Sequence, residues 1–231
     1  MARIRDAAAG DTLTRKRPIT SPDHAALLVV DVQYYVAAPG YGVHKQVDPR
    51  RVPPSLQYYF QRVSDVMVPN IQRLQASCRR AGIEVLFTCV ENLTLDGRDR
   101  SLDYKISGLD VPKGSREAQV LDPIRPVGDE IVLPKTSSSV FNSTNIDYVL
   151  RNLEVDYLIV VGMLTDQCVE SAVRDACDLG YLVTVAEDAC ATMTQARHEQ
   201  SLELYKGYCR MVSTDELLRE IDAIVTSPSH A

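Results

Sequence analysis

The sequence predicts an α/β fold: three layers, doubly wound, around a mainly parallel six-stranded sheet. Two observations predict it. Six apolar runs of strand length alternate with helical patterns along the chain, the order that right-handed crossovers require. The first run, Ala25-Ala26-Leu27-Leu28-Val29-Val30, is apolar throughout, as a strand covered on both faces has to be. With 231 residues one domain is expected, an irregular arm over 1–22 and a single folded unit over 23–231.

The first strand ends in Asp31, and Gln33, Tyr34 and Tyr35 follow before a Pro39-Gly40-Tyr41-Gly42 loop. Pro53 and Pro54 precede a long helical pattern with Val63, Met67, Ile71 and Leu74 on its apolar face and Gly82 as its stop. Pro69 interrupts that pattern, so a kink or a break is expected there. Residues 83–90 read as the second strand, with Glu91 and Asn92 just past its carboxyl end. Residues 91–128 are rich in charge, glycine and proline. A connection this long is expected to hold short helices, to flank a functional site or to meet another subunit. The third strand is predicted over 129–133, ended by Pro134-Lys135, and a short helix over 145–153. Residues 158–161 form the fourth strand, Gly162 turns the chain, and a helix is expected over 166–179. A strand over 181–186, a helix over 194–206, a strand over 209–212 and a last helix from Ser213 complete the pattern.

Composition narrows the function. A formal charge of -6 argues against non-specific binding to nucleic acid or to an anionic membrane. No apolar stretch approaches the roughly 20 residues of a membrane span, and the first residues hold no apolar core of a secretory signal. Cysteines 78, 89, 168, 177, 190 and 209 form no C-x-x-C pair and suit neither a zinc site nor a disulfide framework. A reducing cytoplasm is the expected compartment. Asp31-Val32-Gln33 stands where a dinucleotide-binding enzyme would carry G-x-G-x-x-G.

Three predicted strands end in reactive groups: Asp31, Lys135 and Cys168. Each alone has an ordinary explanation, as a loop cap, a solvated lysine and a packed cysteine. Together they sit where an open α/β sheet collects its chemistry, beyond the carboxyl ends of its strands. Cys168 falls at a strand-to-helix turn, where the helix N-terminus favours thiolate. A thiol pKa below the free value of about 8.5 is therefore expected.

This set resembles the isochorismatase-like cysteine hydrolases, the superfamily that holds nicotinamidases and the N-carbamoylsarcosine, ureidoacrylate, biuret and streptothricin hydrolases. The matching residues are Leu28-Val29-Val30-Asp31-Val32-Gln33, Pro134-Lys135 with Ser138 and Phe141, and Gly162-Met163-Leu164-Thr165-Asp166-Gln167-Cys168-Val169. The resemblance implies an Asp31–Lys135–Cys168 triad that cleaves a C–N bond of a small amide or ureide through a thioester. It implies a cis peptide between Met163 and Leu164 and an oxyanion hole of the Leu164 and Cys168 backbone N–H groups. It also implies a homodimer or homotetramer. Gln33, Tyr35, Glu91, Asn92 and Phe141 are the candidate substrate contacts. No cofactor and no metal are expected, because the region after the first strand offers only His44 and Asp48 in place of a metal-binding histidine set. Vinyl-ether hydrolysis, or a non-catalytic binding module on the same fold, are the alternatives.

Overall fold

The computed structural model describes residues 14–226. The strands are β1 (Ala25–Val30), β2 (Glu84–Val90), β3 (Ile131–Lys135), β4 (Tyr157–Met163), β5 (Leu182–Ala191) and β6 (Arg210–Val212). The helices are α1 (Tyr34–Ala37), α2 (Pro54–Gln61), α3 (Val68–Ala81), α4 (Leu102–Ser107), α5 (Val140–Ser143), α6 (Ile146–Asn152), α7 (Glu170–Asp178), α8 (Gln195–Tyr205) and α9 (Thr214–Thr226). The strands form one sheet in the order β3-β2-β1-β4-β5-β6, and every pairing is parallel. The order reverses between β1 and β4, so a crevice opens beyond their carboxyl ends.

The alternation of β1 explains the layers. Leu27 and Val29 join a core with Met67, Ile71, Leu74, Leu217 and Ile221, so α3 and α9 cover that face. Leu28 and Val30 point the other way, into a core with Leu150, Val169, Ala172 and Val173 from the α6–α7 side. Such a strand has no wet face, which is why its sequence shows no polar alternation. No helix among the described residues is long and apolar enough to cross a membrane.

Several element boundaries differ from expectation. The helical run does not break at Pro69: residues Arg62–Met67 wind as a π-segment between α2 and α3. The Val68 N–H then bonds Val63 O, and Pro69, which has no N–H to give, sits in the first turn of α3. Strand β3 runs through Pro134 to Lys135. It is an edge strand, where a residue without an N–H is tolerated. Strand β5 continues past Glu187 and Asp188 because the pairing slips between Val160 and Gly162, with Val160 opposite Val185 and Gly162 opposite Cys190. The two acidic residues belong to this bulge. Of the predicted arm, residues 1–13 lie outside the described residues. The following stretch packs on its own chain: Ile19 is buried in the α3–α9 core, and its N–H bonds the Glu220 carboxylate at 2.7 Å.

Candidate active site

Three strand ends meet in the crevice. Asp31 follows β1 with φ 54°, a left-handed turn that aspartate tolerates better than most residues. Thr88 Oγ1 donates to its Oδ1 at 2.7 Å, and the Asp31 N–H bonds Thr88 O at 3.1 Å. Lys135, the last residue of β3, is completely buried, and its Nζ lies 2.8 Å from Asp31 Oδ2. The ammonium also donates to Ser137 O at 2.8 Å and Ser138 O at 3.2 Å. Cys168 sits in a π-turn, Thr165–Val169, that leads from β4 into α7, and the Met163–Leu164 peptide before it is cis. The turn is close to β1 because Gly162 has φ 119° and no Cβ: one built there would stand 2.2 Å from Val30 O. Lys135 Nζ is 3.3 Å from Cys168 Sγ, so one ammonium touches both the carboxylate and the sulfur.

The electrostatics correct one expectation. Burial pushes the Cys168 thiol up to about 12, and Asp31 adds to that rise, while Lys135 pulls the other way without cancelling it. The lowered thiol pKa was expected from the helix start and the lysine; burial, which the sequence does not show, is the largest cause of the rise, and the Asp31 carboxylate adds to it. The resting pair is thus a thiol beside a carboxylate, and the ammonium balances the carboxylate. Burial alone would lower the Lys135 pKa, but Asp31, Cys168 and Tyr104 together outweigh it and hold the ammonium charged.

Above these groups lies a cavity of about 600 Å³ lined by Asp31, Gln33, Tyr35, Tyr104, Leu164 and Cys168 among others. Of the candidate contacts, it takes in Gln33 and Tyr35. Gln33 is spent on the fold: its amide N–H groups go to Val90 O and Glu117 O, and its Oε1 accepts from the Val90 N–H. Tyr35 accepts the Asp110 N–H at 3.2 Å. The other three face elsewhere. Glu91 accepts the Gly114 N–H and borders a separate cleft. Asn92 bonds Asp110 at 2.7 Å. Phe141 packs against Tyr181 with ring centroids 6.1 Å apart. Proximity to a strand end in sequence did not tell which way these side chains turn.

A family model described as the Isochorismatase domain matches residues 25–216. The chain belongs to the isochorismatase family. N-carbamoylsarcosine amidase of an Arthrobacter species is 28% identical over 166 residues, covering 69% of this chain and 63% of that protein. Ureidoacrylate amidohydrolase RutB of Pantoea ananatis is 30% identical over 186 residues, covering 73% and 70%. Among solved structures, a cysteine hydrolase from Pseudomonas syringae pv. phaseolicola aligns with a TM-score of 0.76 at 23% identity, covering 93% of this chain and all of that one. N-carbamoylsarcosine amidase from Thermoplasma acidophilum aligns at 0.62 with 25% identity, covering 83% and 96%.

Three features of this isochorismatase-family site were not read from its sequence. Tyr104, on α4 in the irregular 91–128 segment, puts its hydroxyl 3.4 Å from Lys135 Nζ. Nothing in that segment's periodicity marks it. Thr88 is the one hydroxyl in strand β2, whose only charged residue, Glu84, stands at its first position, and that isolated polarity was a usable signal. Helix α8 also bonds the turn that carries Cys168. His198 Nδ1 and Thr165 Oγ1 are 2.9 Å apart, Ser201 Oγ donates to Thr165 O at 3.1 Å, and Arg197 pairs with Asp166. Arg62 Nη2 lies 2.8 Å from His198 Nε2. A guanidinium only donates, so Nε2 accepts and the Nδ1–H is left to donate to Thr165. Burial, helped by Arg62, drives the His198 pKa down to about 4, so the ring stays neutral at ordinary pH.

Proposed function

We propose that this chain is a cysteine amidohydrolase that cleaves a C–N bond, other than a peptide bond, in a small amide or ureide. The observation that carries the reading is Lys135 Nζ set between Asp31 Oδ2 at 2.8 Å and Cys168 Sγ at 3.3 Å, on the floor of a cavity. Relatives named as amidases and amidohydrolases support the reaction class.

The steps follow from the charges. Asp31 takes the thiol proton as Cys168 Sγ attacks the carbonyl carbon. The carbonyl oxygen becomes an oxyanion held by the Leu164 and Cys168 backbone N–H groups. The tetrahedral adduct collapses, the C–N bond breaks, and Asp31 gives its proton to the departing ammonia or amine. Asp31 then takes a proton from water, which attacks the thioester. The C–S bond breaks and the sulfur regains its proton from Asp31. Lys135 remains an ammonium throughout. It pairs with Asp31 at 2.8 Å and offsets the negative charge as it passes to sulfur. The thiol's high resting pKa fits this scheme, since the proton leaves only as attack begins.

The test is acid quenching during turnover of a panel of primary amides and ureides, with ammonia release measured alongside. An acyl or carbamoyl mass on Cys168 is expected. Ammonia release without any adduct, retained in Cys168→Ala, would move the assignment to chemistry that bypasses the sulfur.

A further inference from the structure

We propose that the cavity above Cys168 accepts amides whose acyl part is uncharged and largely apolar, and turns away those that carry a carboxylate. This rests on the amidohydrolase reading and specifies its substrate class.

The argument is one of counter-charge. Val36, Val43, Val90, Leu109, Leu164 and Met193 form much of the wall. Among the described residues no lysine or arginine lines the cavity, whereas two carboxylates do, Asp31 within it and Asp103 on α4. Lys135 is completely buried beneath the floor and pairs with Asp31, so its charge is already matched. His44, also in the wall, has its pKa lowered by burial and is neutral. Arg100 stays near the 91–128 segment, where it donates to Leu109 O and Gly97 O.

A substrate carboxylate entering this space would leave water, meet no unmatched cation and approach the like charge of Asp103. Moving an unpaired charge out of water costs several kcal/mol. An uncharged chain loses nothing of that kind and gains burial against the aliphatic wall. Hydroxyl groups are present for a carbonyl or amide, on Tyr35, Tyr104, Ser107 and Ser138, but these dipoles do not replace a guanidinium in binding a carboxylate.

The experiment uses two amides of equal chain length, hexanamide and 6-amino-6-oxohexanoate, which differ by a terminal carboxylate. Binding to full-length Cys168→Ala is measured by calorimetry, and kcat/KM is measured on the wild type. Hexanamide is expected to bind at least about tenfold tighter and to be the better substrate by at least that factor. Met193→Arg, which puts a guanidinium in the wall, should shift the ratio toward the carboxylate by about tenfold or more. Equal or tighter binding of the carboxylate, or binding of neither amide, overturns the proposal. Failure of the amidohydrolase reading looks different: the binding order holds, but the wild type releases no ammonia from either compound.

Discussion

The surroundings of Cys168 pull its proton in opposite directions. Asp31 opposes thiolate formation and Lys135 favours it. Asp31→Asn removes a negative charge beside the sulfur, so the thiol pKa should fall and iodoacetamide labelling at neutral pH should quicken. Turnover should disappear in the same variant, because the proton acceptor is gone. Lys135→Met should act with the opposite sign, raising the thiol pKa and slowing labelling. In the wild type the labelling rate should climb with pH through an inflection above the free-thiol value of about 8.5. That inflection belongs to the coupled set of Asp31, Lys135 and Cys168. Peptide mapping of the alkylated protein checks all three signs. Cys78, Cys89, Cys190 and Cys209 are buried and should stay unlabelled. Cys177 is half-buried, with a thiol pushed up to about 11 by burial, so it is the expected second site, but only Cys168 should be protected by substrate. Cys168→Ala should lose turnover by a factor on the order of 10⁶, as nucleophile removal does elsewhere, while its far-UV circular dichroism stays unchanged.

At the scale of elements, α8 ties down the turn that carries Cys168. His198→Ala leaves the buried Thr165 hydroxyl without its partner, at a cost of about 1–3 kcal/mol for a stranded buried polar group, while Arg62 keeps its bonds to Cys190 O and Glu187 O. Urea denaturation should show that loss. If α8 positions the turn rather than only packing, kcat should fall while KM for the same amide holds. A fall in stability with kcat unchanged would assign His198 to packing alone. This helix also marks how far the sequence could be read. The six-stranded parallel sheet and the meeting of Asp31, Lys135 and Cys168 were legible, because apolar runs alternate with helical patterns and three of them lead to a reactive residue. The α8 clamp was not, because His198, Ser201 and Arg197 look like ordinary helix residues until the helix is laid against the turn. Boundaries failed where pairing overruled local chemistry. Pro134 looked like a strand terminator but sits inside an edge strand. Glu187 and Asp188 looked like a strand end but occupy a bulge. Pro69 looked like a helix breaker, but the preceding π-segment absorbs it.

For the whole molecule, two expectations separate this chain from other ways of building a hydrolase. The first concerns metal. His44 is packed between Tyr59 and Phe60, with ring centroids at 5.4 and 5.0 Å, and Asp48 pairs with Arg50. Among the described residues no group of three His, Cys, Asp or Glu side chains is placed to hold a metal ion. Activity should therefore survive dialysis against a chelator, and loss with rescue by zinc or iron would contradict the reading. The second concerns assembly. Five large apolar side chains in the 91–128 segment are exposed: Leu93 is 47% exposed, Leu95 91%, Leu102 72%, Ile106 77% and Val127 57%. Leu102 and Ile106 are one turn apart on α4, so they share a face, and α4 also supplies Asp103, Tyr104 and Ser107 to the cavity wall. An apolar face of this kind is expected to mark a contact surface, and a second copy of the chain, carrying the same face, is a partner always present. Light scattering at micromolar concentration should give a homodimer or homotetramer. Leu102→Asp with Ile106→Asp should shift the mass toward the monomer, because two carboxylates would have to be desolvated in the interface. If α4 is held in place by that contact, the same variant should raise KM as it dissociates. A wild-type monomer would refute the assembly, and an unchanged oligomer in the double variant would move the interface off α4.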